Sequence, residues 1–184
     1  SQPRIAILGR GLRQEIGPGR RDLFTSAVAD RLGLPEQGTV VHGDGDSLAG
    51  WRFDPAHLHR ADEAPWRAAL FEKAKVNLFA SSHTCSAAFH HEPLPNGQTG
   101  LISNNGAAGM ASEPGSLNGL FTRISATRLN NTALVFQSTQ LNGVWVEQIR
   151  VQFDQAAWQQ HFLSQWPEGT AAHTSYFKRI SEGV

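Results

Sequence analysis

Apolar and polar positions divide the chain into two parts with different periods. Before residue 110, short apolar runs end in polar, glycine-containing segments, and apolar residues recur at helical spacing between them. This alternation of strands and helices is typical of an α/β fold. The predicted strands are 4–8, 39–41, 76–80 and 100–103, and the predicted helices are 21–32 and 54 to about 75, with a break at Pro65.

From residue 120 the period changes to two. Segments 120–125, 132–138 and 143–153 alternate apolar with polar residues, which predicts three strands. Asn130-Asn131 and Asn142-Gly143 are the predicted hairpin turns between them. This part of the chain is therefore expected to form an antiparallel meander.

Two helices are predicted to close the chain. Asp154 is the expected N-cap of the first, which Pro167 stops, and the second runs from about residue 170 to 180. The first helix is expected to bury one face, which carries Trp158, Phe162, Leu163 and Trp166.

Length and composition favour one folded domain over residues 1–184. Of these residues 40% are hydrophobic and 17% charged, which suits a single packed core. Sixteen basic residues balance sixteen acidic ones, so a nucleic acid is disfavoured as an electrostatic partner. The sequence shows neither a bilayer-spanning apolar stretch nor a signal-peptide pattern, which predicts a cytoplasmic protein without a membrane partner.

Polar loops are predicted after three strands, and each carries groups capable of chemistry. Imidazole and thiolate are ligands for Zn, Mn or Fe, and loops at adjacent strand ends can converge on one ion. The spacing equally permits His42 and His83 to be ordinary loop or core histidines. The three loops contain His42-Gly43-Asp44, Ser82-His83-Thr84-Cys85 and Asn104-Asn105-Gly106.

Four segments carry a family resemblance: VVHGDGDSLAGW from residue 40, FASSHTC from 79, ISNNGAAGM from 102 and LFTRIS from 120. Together they resemble the C-terminal half of calcineurin-like metallophosphoesterases, in particular a bacterial branch with SSHTC and NNGAAGM in this order. The resemblance covers residues 39–184, and residues 1–38 look divergent or intervening. It implies the C-terminal portion of an αββα sandwich, with a mixed sheet, an antiparallel meander and flanking helices.

The same resemblance implies a site for two divalent metal ions, Mn, Fe or Zn. His42 matches the family's histidine before glycine, and His83 matches the first histidine of its GHxH motif, where Cys85 replaces the second. These three are the implied metal ligands, and His42, His83 and Asn104 are the candidate catalytic residues. The family's DxH, GDxxD and GNH motifs are absent from the sequence. The chain alone is therefore expected to hold at most one ion, weakly.

The implied function is metal-dependent hydrolysis of a phosphomonoester or phosphodiester, incomplete in this chain. The alternative is a non-catalytic remnant or binding module of the same fold. A small phosphate ester is the implied ligand, and an open sheet edge predicts pairing with a second copy or with a missing N-terminal half.

Individual residues leave further alternatives open. Asp44 either orients His42 or forms an Asx turn. Cys85 with His83 is a weaker candidate for a thiol nucleophile. His90 and His91 are expected to be solvated.

Overall fold

The computed structural model describes residues 38–40, 43–47, 49–113 and 115–183. The strand predicted at 4–8 and the helix predicted at 21–32 lie outside these residues. The strands are β1 Gly38–Val40, β2 Leu78–Ser81, β3 Ala87–Pro93, β4 Thr99–Asn105, β5 Gly119–Ser125, β6 Val135–Leu141 and β7 Val144–Val151. The helices are α1 Pro55–Leu58, α2 Ala64–Ala74, α3 Gln155–Gln165 and α4 Ala171–Glu182, with 3-10 turns at Ala61–Glu63 and Thr132–Leu134.

Sheet 1 has the strand order β1-β2-β4-β3. Its first three strands are parallel, and β3 forms an antiparallel hairpin with β4. Every residue of β2 is buried, as expected of a central strand of a parallel sheet covered on both faces. The sheet therefore places the carboxyl ends of β1, β2 and β4 along one edge.

Sheet 2 is antiparallel, but its order is β5-β7-β6 rather than that of a simple meander. The hairpin at Asn142-Gly143 is confirmed, and both residues have the positive φ of 49° and 86° that a type I′ turn requires. The hairpin predicted at Asn130-Asn131 is wrong. This segment crosses β7, and the Leu129 N–H donates to Glu147 Oε1 of that strand at 3.1 Å.

β7 is the central strand of sheet 2 and carries a buried polar cluster. Four consecutive residues, 146–149, are buried, so the strand is covered on both faces. On one side Glu147 forms a buried ion pair with Arg123 of β5, and the Arg123 guanidinium also donates to the Thr127 carbonyl oxygen at 2.8 Å. This polar cluster fastens the crossing segment above the sheet.

Among the described residues, α1 and α2 pack on one face of sheet 1 and sheet 2 packs on the other. Side chains of β2 and β4 point alternately to the two faces, as the pleat requires. The core on the helical side contains Phe53, Leu58, Leu70, Phe71, Phe79 and Ile102. The core between the sheets contains Leu78, Leu101, Leu141 and Val146. The predicted mixed α/β class, with a mixed sheet and flanking helices, is confirmed.

The first helical region begins as predicted but breaks elsewhere. Asp54 caps α1 by accepting the Ala56 N–H at 2.9 Å. The helix ends at Leu58, before Pro65, and Pro65 lies in the first turn of α2. A proline is tolerated there because the first-turn N–H groups have no helical partner.

The helix α3 also begins at its predicted cap, and α4 begins at Ala171, close to its predicted start. Asp154 accepts the Ala157 N–H at 2.9 Å. The single buried face predicted for α3 is wrong, because Leu163 is 37% and Trp166 44% exposed while Phe162 is buried. Phe162 stacks with Phe177 of α4, with 6.1 Å between the ring centroids, so this aromatic contact joins the two helices. In the described part of the chain, no helix combines the length and apolarity needed to cross a membrane.

Candidate functional site

The predicted polar loops lie at the carboxyl edge of sheet 1. Val40 pairs with Ala80, and Ser81 pairs with Asn104, so the chain leaves β1, β2 and β4 at the same edge. In α/β sheets this edge is where ligands bind. His42 itself lies outside the described residues, between β1 and Gly43.

The segment after β1 is built around the carboxylate of Asp44, which is buried. It accepts backbone N–H groups of Ser47 at 3.0 Å, Arg52 at 3.2 Å and Asp46 at 3.3 Å. A Cβ on Gly50 would lie only 1.9 Å from Asp44 Oδ2, so glycine is needed for this close approach. Asp44 is thus an Asx-turn former, and its predicted contact with His42 stays a prediction.

Asp44 and Asp46 differ in acidity. Burial is the largest influence on Asp44 and raises its pKa, and a hydrogen bond with Asp46 raises it further. Partial burial opposes ionisation of Asp46 too, but hydrogen bonds from the Trp66 indole N–H and Asp44 and the charge of Arg52 lower its pKa overall. As the pH falls, Asp44 is therefore the first of the two to take up a proton.

His83 and Cys85 lie in the loop after β2, and both are half-buried. The His83 imidazole meets the edge of the Trp51 indole, with 5.4 Å between ring centroids and 62° between planes. Cys85 has a left-handed φ of 60°, and its thiol donates to the His83 carbonyl oxygen at 3.6 Å. The thiol's observed partner is thus a backbone oxygen of its own loop rather than an imidazole nitrogen.

Asn104 lies within β4, not in the predicted loop. The strand extends to Asn105 because both asparagine side chains find buried hydrogen-bond partners. Asn104 Nδ2 donates to the Phe53 carbonyl oxygen at 2.9 Å and to Thr84 Oγ1 at 2.6 Å, and its Oδ1 accepts the Gly106 N–H at 3.0 Å. Asn104 is fully buried and joins the segments after β1, β2 and β4.

Gln148 of β7 supports this edge from the opposite layer, and sequence reasoning missed it. Its Nε2 donates to the carbonyl oxygens of Ala88 at 2.8 Å and Asn104 at 2.9 Å, and to Ser103 Oγ at 3.3 Å. The hydroxyls of Ser103 and Thr122 meet at 3.0 Å beside it. A glutamine in an alternating strand predicts a solvated position, so the pattern held no signal for this role.

His90 and His91 have different surroundings, and the prediction that both are solvated is wrong for His90. His90 Nε2 lies 3.0 Å from Glu92 Oε2, which also forms a buried ion pair with Arg67. His91 is exposed, although partial burial of its ring, followed by the charge of His90, lowers its pKa. Glu92 pairs with Gly100 near the far end of the hairpin, so this cluster is separate from the candidate site.

The described donors do not by themselves fit a two-metal centre. Within the described ranges, no three His, Cys, Asp or Glu side chains come together as a metal-binding group. Asn104 is buried with its amide in hydrogen bonds, and the Asp44 carboxylate holds backbone N–H groups. His83 and Cys85 are the described candidates, and the set implied by the resemblance needs His42 as well.

The chain was compared with protein families, curated proteins and solved structures. No family model and no curated protein matches the chain. Among solved structures, the chain is similar to a metallophosphoesterase from Sphaerobacter thermophilus, with 19% identity and a TM-score of 0.48. The alignment covers 80% of this chain and 56% of that one, so the chain spans little more than half that protein's length. At this identity the similarity concerns the fold alone.

Proposed function

We propose that the chain is the C-terminal portion of a metal-dependent phosphoesterase and supplies His42, His83 and Cys85 to its centre. The observation that carries the proposal is the common edge of sheet 1. His42 follows the end of β1 by two residues, and His83 follows the end of β2 by two residues. Parallel strands with such loops can bring two imidazoles to one ion.

The segment resemblance supports the same residues independently of the sheet. It names the histidine before Gly43 and the histidine of SSHTC as ligands of divalent Mn, Fe or Zn, and it names a phosphate ester as the substrate. Bound ions of this kind polarise phosphoryl oxygens and activate water. The described donors fall short of two metals, and we propose that the remaining ligands come from outside the described residues, from a segment upstream or from a partner.

The contacts of Asn104 support a positioning role in this centre. Its side chain is fully buried, so it acts through Thr84, which lies between His83 and Cys85. Through Phe53 it also holds the segment that carries Trp51. Asn104 therefore fixes where the His83 loop sits relative to the segment after β1.

The test is a hydrolysis assay on two proteins. One is the chain alone, and the other is the extended protein, which adds the residues encoded directly upstream in the genome. Both are stripped of metal, reloaded with Mn²⁺ and given p-nitrophenyl phosphate and bis(p-nitrophenyl) phosphate. Activity in the extended protein that is lost in His83→Ala, and kept in His161→Ala on the exposed surface of α3, supports the proposal. Absence of metal binding and activity in both proteins would overturn it in favour of a non-catalytic remnant.

A further inference from the structure

Trp51 presents an indole to solvent beside the candidate site. The side chain is 54% exposed, more than any other large hydrophobic residue described. Phe53, two residues further along the chain, is completely buried in the core on the helical side of sheet 1. An apolar ring left in water costs free energy that its burial would recover.

The segment that carries Trp51 is held firmly in place. The Asp44 carboxylate accepts the backbone N–H of Arg52, the residue after Trp51. The Trp51 carbonyl oxygen accepts the Asp54 N–H at 2.9 Å. Asp54 in turn caps α1. The exposed indole is thus attached to a fixed backbone rather than to a free loop, which lowers the entropy lost when a ligand covers it.

The neighbouring cation Arg52 does not cover the indole. The guanidinium of Arg52 lies over Trp66, 4.0 Å from its ring centroid, and also pairs with Glu63 at 3.6 Å. The described ring contact of Trp51 is with the His83 imidazole, which meets it at an angle of 62°. A ring-sized surface therefore lies next to the imidazole that the proposed function places at the phosphate.

We propose that Trp51 is a specificity-determining residue that stacks against a planar aromatic group on the alcohol side of a phosphomonoester. The inference rests on the proposed function, because the phosphate must lie beside His83 for the ring to reach the indole. Aromatic rings stack on tryptophan with a gain worth about tenfold in affinity. A saturated ring of similar size lacks the π-face and gains less.

The test compares phenyl phosphate with cyclohexyl phosphate, which carry the same charge on rings of similar size. Binding to the upstream-extended protein, loaded with Mn²⁺, is measured by isothermal titration calorimetry for the parent, Trp51→Ala and Trp51→Phe. Trp166→Ala is the matched control, because Trp166 is 44% exposed but lies at the end of α3. Inorganic phosphate is titrated as a ligand without a ring.

The expected result is a loss of about tenfold for phenyl phosphate in Trp51→Ala, partial recovery in Trp51→Phe and no change in Trp166→Ala. Cyclohexyl phosphate and inorganic phosphate should bind the Trp51→Ala variant as they bind the parent. Equal binding of the two esters by the parent, or an equal loss for both in Trp51→Ala, would overturn the stacking role alone. Failure of the extended parent protein to bind any phosphate would overturn the proposed function with it.

Discussion

Replacing Asn104 with alanine should destabilise the fold more than the same change at its neighbour Asn105. The Asn104 amide makes three hydrogen bonds, to Phe53, Thr84 and Gly106. Each such bond contributes about 0.5–1.5 kcal/mol net, so their loss should cost about 1.5–4.5 kcal/mol. Asn105 makes one described side-chain bond, to the Leu120 carbonyl oxygen at 2.8 Å, which predicts a loss of about 0.5–1.5 kcal/mol.

The two variants form a matched pair, because each removes the same atoms from a buried position in β4. The cavity contributions are therefore similar, and the difference reports the hydrogen bonds. Equilibrium unfolding in urea, followed by tryptophan fluorescence, gives the free energy of unfolding for each variant. A loss in Asn105→Ala that equals or exceeds the loss in Asn104→Ala would refute the reasoning.

Three further predictions concern the loop, the pH dependence and the sheet edge. Gly50→Ala should lower the free energy of unfolding, measured by thermal unfolding, by about 1–3 kcal/mol, because the new Cβ would clash with Asp44. Gly109→Ala is the control and should change this free energy little, because a Cβ there would lie in open space. The pKa of His91 is lower in the folded than in the unfolded chain, so just below pH 6.5 the unfolded chain binds more protons and the free energy of unfolding rises with pH. His91→Gln should flatten this pH dependence, measured by urea unfolding at several pH values. An unchanged pH dependence would count against this role of His91. Among the described strands β3 pairs only with β4, so its open edge predicts self-association, and a strictly monomeric species in sedimentation velocity would contradict this.

Local signals in the sequence predicted local structure. The caps at Asp54 and Asp154 and the turn at Asn142-Gly143 depend on neighbouring residues alone, and all three are confirmed. The strand ends that deliver the loop of His83 also follow from short apolar runs. These features need no knowledge of distant parts of the chain.

Features that depend on distant contacts were not predictable from the pattern. The central position of β7 depends on its pairing with both β5 and β6, and the sequence pattern also does not reveal the layers that bury both of its faces. Asn104 reads as a loop residue until its partners Phe53 and Thr84 are known, and these lie 51 and 20 residues away in the chain. Gln148 is recognisable as buried only when both sheets are assembled.

The most direct test of the proposed centre is whether His42 and His83 bind the same ion. Mn²⁺ affinity is measured by calorimetry for the parent chain, His42→Ala, His83→Ala and the double variant. If both histidines bind one ion, each single substitution should weaken Mn²⁺ binding. The binding free energy lost in the double variant should then be smaller than the sum of the two single losses. Unaltered affinity in either single variant, or losses that add fully, would contradict a shared ion at the carboxyl edge of sheet 1.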